Sequence, residues 1–339
     1  MGELQRYEAT NCRSAGRPVK TAVRQRSRLG HENDCESWQG GAKNPGAAQS
    51  PRVTSILRSM IAFVLSGGGN LGAVQVGMLR ALLRAKIYPD AIVGTSVGAI
   101  NGGWLAGRGQ GADIEELAEI WRGLRRADVF PTRLLGGLRG FLGQTDHLVS
   151  DSGIRRLLDR ALTFEKLEDA TVPFHVVATD ITSGRDHLLS RGNAADAICA
   201  SAAIPGVFPT VTIDGRALVD GGVVNNCPIS HAVALGATTI WVLPCGFACA
   251  LAEAPTSALG SVLQAISLLI QQRLRTDAER FADQLDLRVV PSPCPVAVAP
   301  TDFSQSGRLI ETADELTTAW LANPTSFVED PLALHSHTG

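Results

Sequence analysis

The sequence has no apolar run long enough to cross a membrane. Its most apolar helix candidate, residues 258–270, has about 13 residues and includes Ser and Gln, whereas roughly 20 apolar residues are needed to span the hydrocarbon core. Residues 1–30 also have no apolar core of the length that a secretory signal requires. We therefore expect a cytoplasmic protein whose membrane contact, if it has any, is peripheral.

An excess of positive charge is also missing, because 31 Lys and Arg are offset by 33 Asp and Glu, for a net charge of −2. That balance gives no sign of nucleic-acid binding. Residues 1–59 are an exception, with ten Lys and Arg against five Asp and Glu. This stretch is polar and has no periodicity, so we predict a disordered, solvated extension. Attraction to an anionic membrane is the alternative.

The seven cysteines form no paired Cys-x-x-Cys pattern. Cys245 and Cys249 are four residues apart without a matching His or Cys pair, so we expect no zinc site. Cys199, Cys227 and Cys245 have apolar neighbours, which favours buried free thiols in a reducing compartment.

Glycine is abundant, with 35 residues, and it marks a repeated pattern. Strands predicted at 61–65 and 91–93 are each followed by a Gly-rich turn and a helix. The helix after the first strand has Val74, Met78, Leu82 and Ala85 on one face. Two such units within about 50 residues predict an α/β fold with a mostly parallel sheet. We expect this domain over residues 60–295 and a tail with one helix over 296–339.

Apolar periodicity predicts further elements after the second unit. The predicted helices cover residues 113–126, 152–161, 193–203 and 257–284. The predicted strands cover residues 174–179, 217–219, 239–243 and 287–290.

The segment Gly94-Thr95-Ser96-Val97-Gly98 has the pattern Gly-x-Ser-x-Gly between a strand and a helix. A serine at such a turn is pushed out of the sheet, and Gly94 and Gly98 remove side chains that would clash there. The N-terminus of the next helix favours developing negative charge at the serine. The context predicts that Ser96 is a nucleophile.

The segment Gly67-Gly68-Gly69-Asn70-Leu71-Gly72 has two functional interpretations. Its backbone N–H groups at a helix N-terminus would form an anion site, here for the oxyanion of acyl transfer. It also fits the dinucleotide fingerprint Gly-x-Gly-x-x-Gly through Gly67, Gly69 and Gly72, with Asp90 near the spacing of a ribose-binding acid.

The third motif is Asp220-Gly221-Gly222, directly after the strand predicted at 217–219. An acid at a strand end lies where α/β sheets place functional groups. A turn in which the acid only caps its own backbone is the alternative.

Taken together, these three motifs resemble those of the patatin-like phospholipase family. Residues 201–209, Ser-Ala-Ala-Ile-Pro-Gly-Val-Phe-Pro, also resemble the segment that this family carries before its aspartate. The resemblance covers about residues 60–230. It implies a three-layer α/β/α sandwich that hydrolyses acyl esters of lipids without a cofactor.

The resemblance also implies the roles of individual residues. Ser96 would be the nucleophile and Asp220 the base of a Ser–Asp dyad. The amides of Gly67, Gly68 and Gly69 would form the oxyanion hole. The family often has Arg or Lys at the position of Leu71, so a cation that could support the loop is missing here.

Two further features allow alternatives. No histidine stands out as the third member of a triad: His147, His175 and His187 precede the acid, His231 follows it closely, and His335 and His337 lie in a polar tail.

Residues 131–147 interleave Leu134, Leu135, Leu138, Phe141 and Leu142 with Arg133 and Arg139. They are either a cap packed on the domain or a lid that reaches lipid in a bilayer.

The sequence therefore predicts a lipid acyl hydrolase whose partner is a lipid or acyl-ester substrate. Two alternatives are a dinucleotide-dependent oxidoreductase that uses Gly67–Gly72 and a non-catalytic lipid-binding protein of the same fold. The substrate head group and the oligomeric state are not encoded in any motif.

Overall fold

The computed structural model describes residues 59–131, 146–246, 254, 258–294, 298 and 301–323. Predictions for the basic extension at 1–58, for the Leu-rich segment at 132–145 and for His335 and His337 lie outside the described residues.

An eight-stranded mixed sheet forms the centre of the protein. The strand order is β5-β6-β3-β2-β1-β7-β8, and β4 pairs with β3. The pairs β1–β2, β1–β7, β2–β3 and β7–β8 are parallel, whereas β3–β4, β3–β6 and β5–β6 are antiparallel. The strands are β1 Ile61–Leu65, β2 Ala91–Thr95, β3 Phe174–Asp180, β4 Arg185–Leu189, β5 Val211–Ile213, β6 Arg216–Asp220, β7 Thr239–Leu243 and β8 Asp286–Val289.

Helices cover both faces of this sheet. They are α1 Gly72–Arg84, α2 Val97–Arg108, α3 Ile114–Gly123, α4 Arg126–Val129, α5 Ser152–Ala161, α6 Ala194–Ser201, α7 Gly222–Asn225, α8 Ile229–Ala234, α9 Ala258–Phe281 and α10 Ser306–Ala322.

The two faces have separate apolar cores because side chains alternate along a strand. On β1, Phe63 and Leu65 enter the core shared with α1, α2 and α10. Ala62 and Val64 enter the core shared with α8 and α9. The predicted α/β/α sandwich is therefore present, although its sheet is antiparallel on one side.

The C-terminal helix α10 packs closely on α1. A Cβ atom added at Gly77 would lie 2.2 Å from the carbonyl oxygen of Ile310. Arg80 and Arg84 of α1 form ion pairs with Glu311 and Asp314 of α10, at 2.9 and 2.5 Å. The helix predicted after residue 295 is thus α10, and it packs into the first core together with α1.

Several predictions at the level of single elements were wrong. The short strands β4 and β5 were not predicted, because each has few residues and charged or turn-forming neighbours. The helix predicted at 113–126 is two helices, α3 and α4, since the chain is extended at Leu124 and Arg125. Ala85 is exposed because α1 ends at Arg84.

Cys199, Cys227 and Cys245 are buried and free, as predicted. Cys294 differs, because it is disulfide-bonded. Within the described residues, no helix has both the length and the apolar character needed to span a bilayer.

Candidate active site

The candidate site lies where two strands meet end to end. Strand β2 pairs with the first half of β3, as far as Thr95 beside Val177. Strand β6 runs in the opposite direction along the second half, ending with Asp220 beside Ala178. Because β4 occupies the other edge of β3, β2 and β6 share one edge and their carboxyl ends converge. This topology brings Ser96 and Asp220 together although 124 positions separate them.

Ser96 occupies a strained turn between β2 and α2. Its backbone has φ 54° and ψ −122°, a conformation that costs free energy and is common at functional sites. The flanking glycines are sterically required: a Cβ atom at Gly98 would lie 2.3 Å from the carbonyl oxygen of Leu65, and one at Gly94 would lie 2.6 Å from that of Gly98.

The turn is held by Ser201, at the C-terminal end of α6. The Ser96 N–H donates to the Ser201 hydroxyl at 2.8 Å, and that hydroxyl donates to the Val177 carbonyl at 2.5 Å. Ser201 is fully buried. The segment 201–209, recognised in the sequence by resemblance, therefore contributes to the geometry of the serine.

Asp220 is bonded through both carboxylate oxygens. Ser96 Oγ donates to Oδ2 at 2.7 Å, and the Gly222 N–H donates to Oδ1 at 2.7 Å. Burial raises the pKa of Asp220 to about 6, although these two hydrogen bonds act in the opposite direction. The carboxylate is thus ionised at neutral pH yet has a high affinity for a proton.

The two glycines after Asp220 keep the junction compact. A Cβ atom at Gly221 would lie 2.2 Å from the carbonyl oxygen of Val177, and one at Gly222 would lie 2.9 Å from Asp220 Oδ1. Larger residues would push the carboxylate away from the serine.

The glycine loop lies beside the serine, since a Cβ atom at Gly67 would be 3.1 Å from Ser96 Cβ. The sequence predicts three amides for the oxyanion hole, and the N–H of one of them, Gly67, donates to the Asn226 carbonyl at 3.1 Å. The amides of Gly68 and Gly69 have no acceptor among the described residues. Gly69 has φ +58°, which favours glycine at this position.

Gly72, the last glycine of the loop, allows α1 to begin close to α2 and α3. A Cβ atom at this position would lie 2.4 Å from Val97 Cγ2 and 2.7 Å from the Trp121 ring. A larger residue would therefore displace Val97, the neighbour of Ser96 in the chain.

Two buried amide side chains, Gln75 and Asn70, also hold the glycine loop. Gln75 Nε2 donates to the carbonyls of Ser66 and Leu243, both at 2.9 Å. Asn70 Nδ2 donates to the carbonyl of Asp302 at 2.8 Å. Asn70 belongs to the glycine motif, whereas Gln75 lies in α1, outside every motif.

An apolar pocket that is partly open to solvent extends from Ser96. Among the residues that line it are Gly69 and Asn70 of the glycine loop. The rest of its wall is apolar. Leu157 and Ile204 line it together with residues of the first core: Val97, Ile100, Trp121, Leu124, Val129, Phe130, Ile154, Ala202, Phe208 and Phe303. Such a surface suits a hydrocarbon chain.

Three of the four described histidines bond to groups outside the site. His231 contacts Asp186 at 2.9 Å, His175 contacts Ser190 at 2.7 Å, and His147 contacts Asp146 at 2.7 Å. Within the described part of the chain, no histidine is bonded to Ser96 or Asp220, and no group of three metal-binding side chains is present.

Asp90, the acid considered for a dinucleotide site, lies at the opposite end of the sheet from the glycine loop. It precedes β2 and accepts a hydrogen bond from the N–H of Ile61 at the start of β1. The loop follows the end of this five-residue strand, so roughly 16 Å separates the two. Asp90 is therefore too far from the glycine loop to act as the ribose-binding acid of the fingerprint.

Comparison with known proteins gives a family match. Residues 63–233, half of the chain, match the family model for patatin-like phospholipases. Patatin-like phospholipase domain-containing protein 7 of Rattus norvegicus is 30% identical over 198 residues, which cover 58% of this chain and 14% of the rat protein. Lysophospholipase NTE1 of Mycosarcoma maydis is 31% identical over 189 residues, which cover 55% of this chain and 10% of the fungal protein.

Among solved structures, VipD from Legionella pneumophila has a TM-score of 0.43 and 16% identity, covering 78% of this chain and 67% of that one. The chain spans only a small part of the length of the two relatives above.

Proposed function

Because the chain belongs to the patatin-like phospholipase family, we propose that it is a lipid acyl hydrolase that cleaves carboxylic esters through an acyl-Ser96 intermediate. The observation that carries the proposal is the 2.7 Å hydrogen bond from Ser96 Oγ to the buried carboxylate of Asp220. Nucleophile and base are thus within the distance that proton transfer requires.

In the first half-reaction, Ser96 Oγ attacks the acyl carbonyl carbon while Asp220 accepts the hydroxyl proton. The carbonyl oxygen becomes an oxyanion and accepts hydrogen bonds from the amides of Gly68 and Gly69. The intermediate then collapses, the ester C–O bond breaks, and the leaving alkoxide takes the proton from Asp220. In the second half-reaction, water repeats these steps and releases the fatty acid.

The environment of Asp220 supports its role as base. An ordinary aspartate, with a pKa near 3.9, is a poor proton acceptor. Burial raises the pKa of Asp220 to about 6, which brings it closer to the value at which a general base works best at neutral pH.

The cavity supports a lipid as the substrate. Its wall is almost entirely apolar and begins at Ser96, so the acyl chain would lie there and the polar leaving group would face the mouth. Acyl transfer to a second alcohol would use the same residues, and contact with a membrane surface stays a prediction.

A labelling and hydrolysis experiment tests the proposal. We expect a fluorophosphonate probe to label wild type and Ser183→Ala, a variant of an exposed serine, but not Ser96→Ala. We expect release of nitrophenol from nitrophenyl esters, and of fatty acid from a lipid panel, to follow the same pattern.

Two results would favour the alternatives. Binding of NAD without labelling of Ser96 would favour an oxidoreductase. Lipid binding with equal, background hydrolysis by wild type and Ser96→Ala would favour a non-catalytic protein.

A further inference from the structure

A short C-terminal segment, residues 301–305, reaches the candidate active site from outside the matched family region, which ends at residue 233. We call it the Phe303 segment. It immediately precedes α10. Phe303 is only 7% exposed and lines the same cavity as Ser96.

The Phe303 ring belongs to a row of aromatic side chains in the cavity wall. Its centroid is 6.3 Å from that of Trp121 and 6.5 Å from that of Phe130, which in turn stacks on Phe208 at 5.4 Å. Removing or enlarging one ring of such a row changes the space for a ligand, because the others are packed against the core.

The same segment is bonded to the glycine loop. The carbonyl of Asp302 accepts a hydrogen bond from Asn70 Nδ2 at 2.8 Å, and Asn70 is only 3% exposed. Asn70 follows Gly68 and Gly69, whose amides are the proposed oxyanion donors. The segment is therefore adjacent both to the cavity and to the reacting atoms.

The position of the Phe303 segment is fixed by α10. The buried Ser306 hydroxyl donates to the Phe303 carbonyl at 2.8 Å. The close packing of α10 on α1 at Gly77 and the ion pair between Arg80 and Glu311 hold the helix itself. Because α10 is held in this way, the Phe303 ring has a fixed position in the wall of the pocket.

We propose that the Phe303 segment completes the acyl-binding site and that Phe303 determines which acyl chain lengths are accepted. This inference rests on the proposed function, since it assigns the cavity to the acyl group. In this proposal Phe303 is a specificity-determining residue that contacts the acyl chain of the substrate.

The proposal predicts opposite effects of a smaller and a larger side chain. The assay is the ratio of kcat/KM for nitrophenyl dodecanoate to that for nitrophenyl butanoate. Each additional methylene that the enlarged site buries is worth about fourfold. We therefore expect Phe303→Ala to raise the ratio about tenfold or more and Phe303→Trp to lower it by a similar factor.

Phe281→Ala is the matched control. Phe281 is also a phenylalanine with 7% exposure, but it lies in the core on the other face of the sheet. We expect this variant to lose stability without changing the ratio. Ratios within about twofold of wild type for both Phe303 variants, or an equal shift in Phe281→Ala, would overturn the proposal.

A binding measurement separates this proposal from hydrolysis itself. Calorimetric titration of Ser96→Ala and Ser96→Ala/Phe303→Ala with butanoate and dodecanoate reports the cavity without turnover. If wild type is inactive but Ser96→Ala/Phe303→Ala binds dodecanoate more tightly than Ser96→Ala does, the proposed function fails and the acyl-site assignment stands. If wild type is active and neither the ratio nor the affinity shifts, the acyl-site assignment fails alone.

Discussion

Replacing Asp220 with asparagine should abolish turnover while making the protein more stable at neutral pH. Asparagine has the same shape, and its Oδ1 can still accept the hydrogen bond from the Gly222 N–H. It carries no negative charge that burial would penalise. It also cannot accept the serine proton, so we expect kcat/KM to fall by about 10³-fold or more.

The size of the stabilisation follows from the pKa of the carboxyl. Burial raises the pKa of Asp220 from 3.8 to about 6, so between these values the folded state holds a proton that the unfolded state has lost. Wild-type stability therefore falls as pH rises through this window. The loss reaches about 3 kcal/mol above pH 6 or so, and Asp220→Asn should not show it.

Urea denaturation of wild type and Asp220→Asn from about pH 4 to 8 measures this difference. We expect nearly equal free energies of unfolding at the acidic end and a growing advantage for the variant toward neutral pH. For wild type, kcat/KM should fall about tenfold per pH unit below about pH 6, because only the carboxylate accepts the proton. A variant that is less stable than wild type at neutral pH, or whose advantage does not change with pH, would refute the reasoning.

Three further substitutions test the framework of the site. Gly68→Ala places a Cβ atom 2.3 Å from Cys245 Cβ, so we expect kcat to fall by about 10²–10³ and to recover in part in Gly68→Ala/Cys245→Gly, measured by ester hydrolysis. Ser201→Ala leaves the buried N–H of Ser96 without its acceptor, so urea denaturation should show a loss of about 1–3 kcal/mol together with a lower kcat. Gly77→Ala forces α1 and α10 apart at Ile310, and we expect a loss of about 2 kcal/mol or more with an unchanged acyl-chain preference once folded.

The turns that carry Ser96 and Asp220 could be predicted from the sequence because each lies in a local motif with a steric meaning. Gly94 and Gly98 are glycines because backbone atoms occupy the space where a Cβ atom would be. The same holds for Gly221 against Val177. Patterns of this kind are visible in a few consecutive residues, so they indicate the turn without knowledge of the rest of the fold.

The geometry that joins these motifs could not be predicted in the same way. That β2 and β6 abut along one edge of β3 depends on an antiparallel turn-back through β4 and β5, and β4 and β5 are too short to give a clear apolar pattern. The contribution of Phe303 depends on the close contact between α1 and α10, where Arg80 and Glu311 meet across 231 positions of sequence. Long-range packing of this kind leaves no local signal.

The absence of a cation at position 71 is better understood once these contacts are known. Leu71 is partly buried against the first core, where an unpaired charge would be costly. The loop is instead held by neutral donors, namely Gln75 on the carbonyls of Ser66 and Leu243 and Asn70 on that of Asp302. Buried hydrogen bonds of this type are hardly screened by salt, whereas an exposed cation would be. The loop amides can therefore be fixed in place without the charge that the family often carries, and activity should depend little on ionic strength.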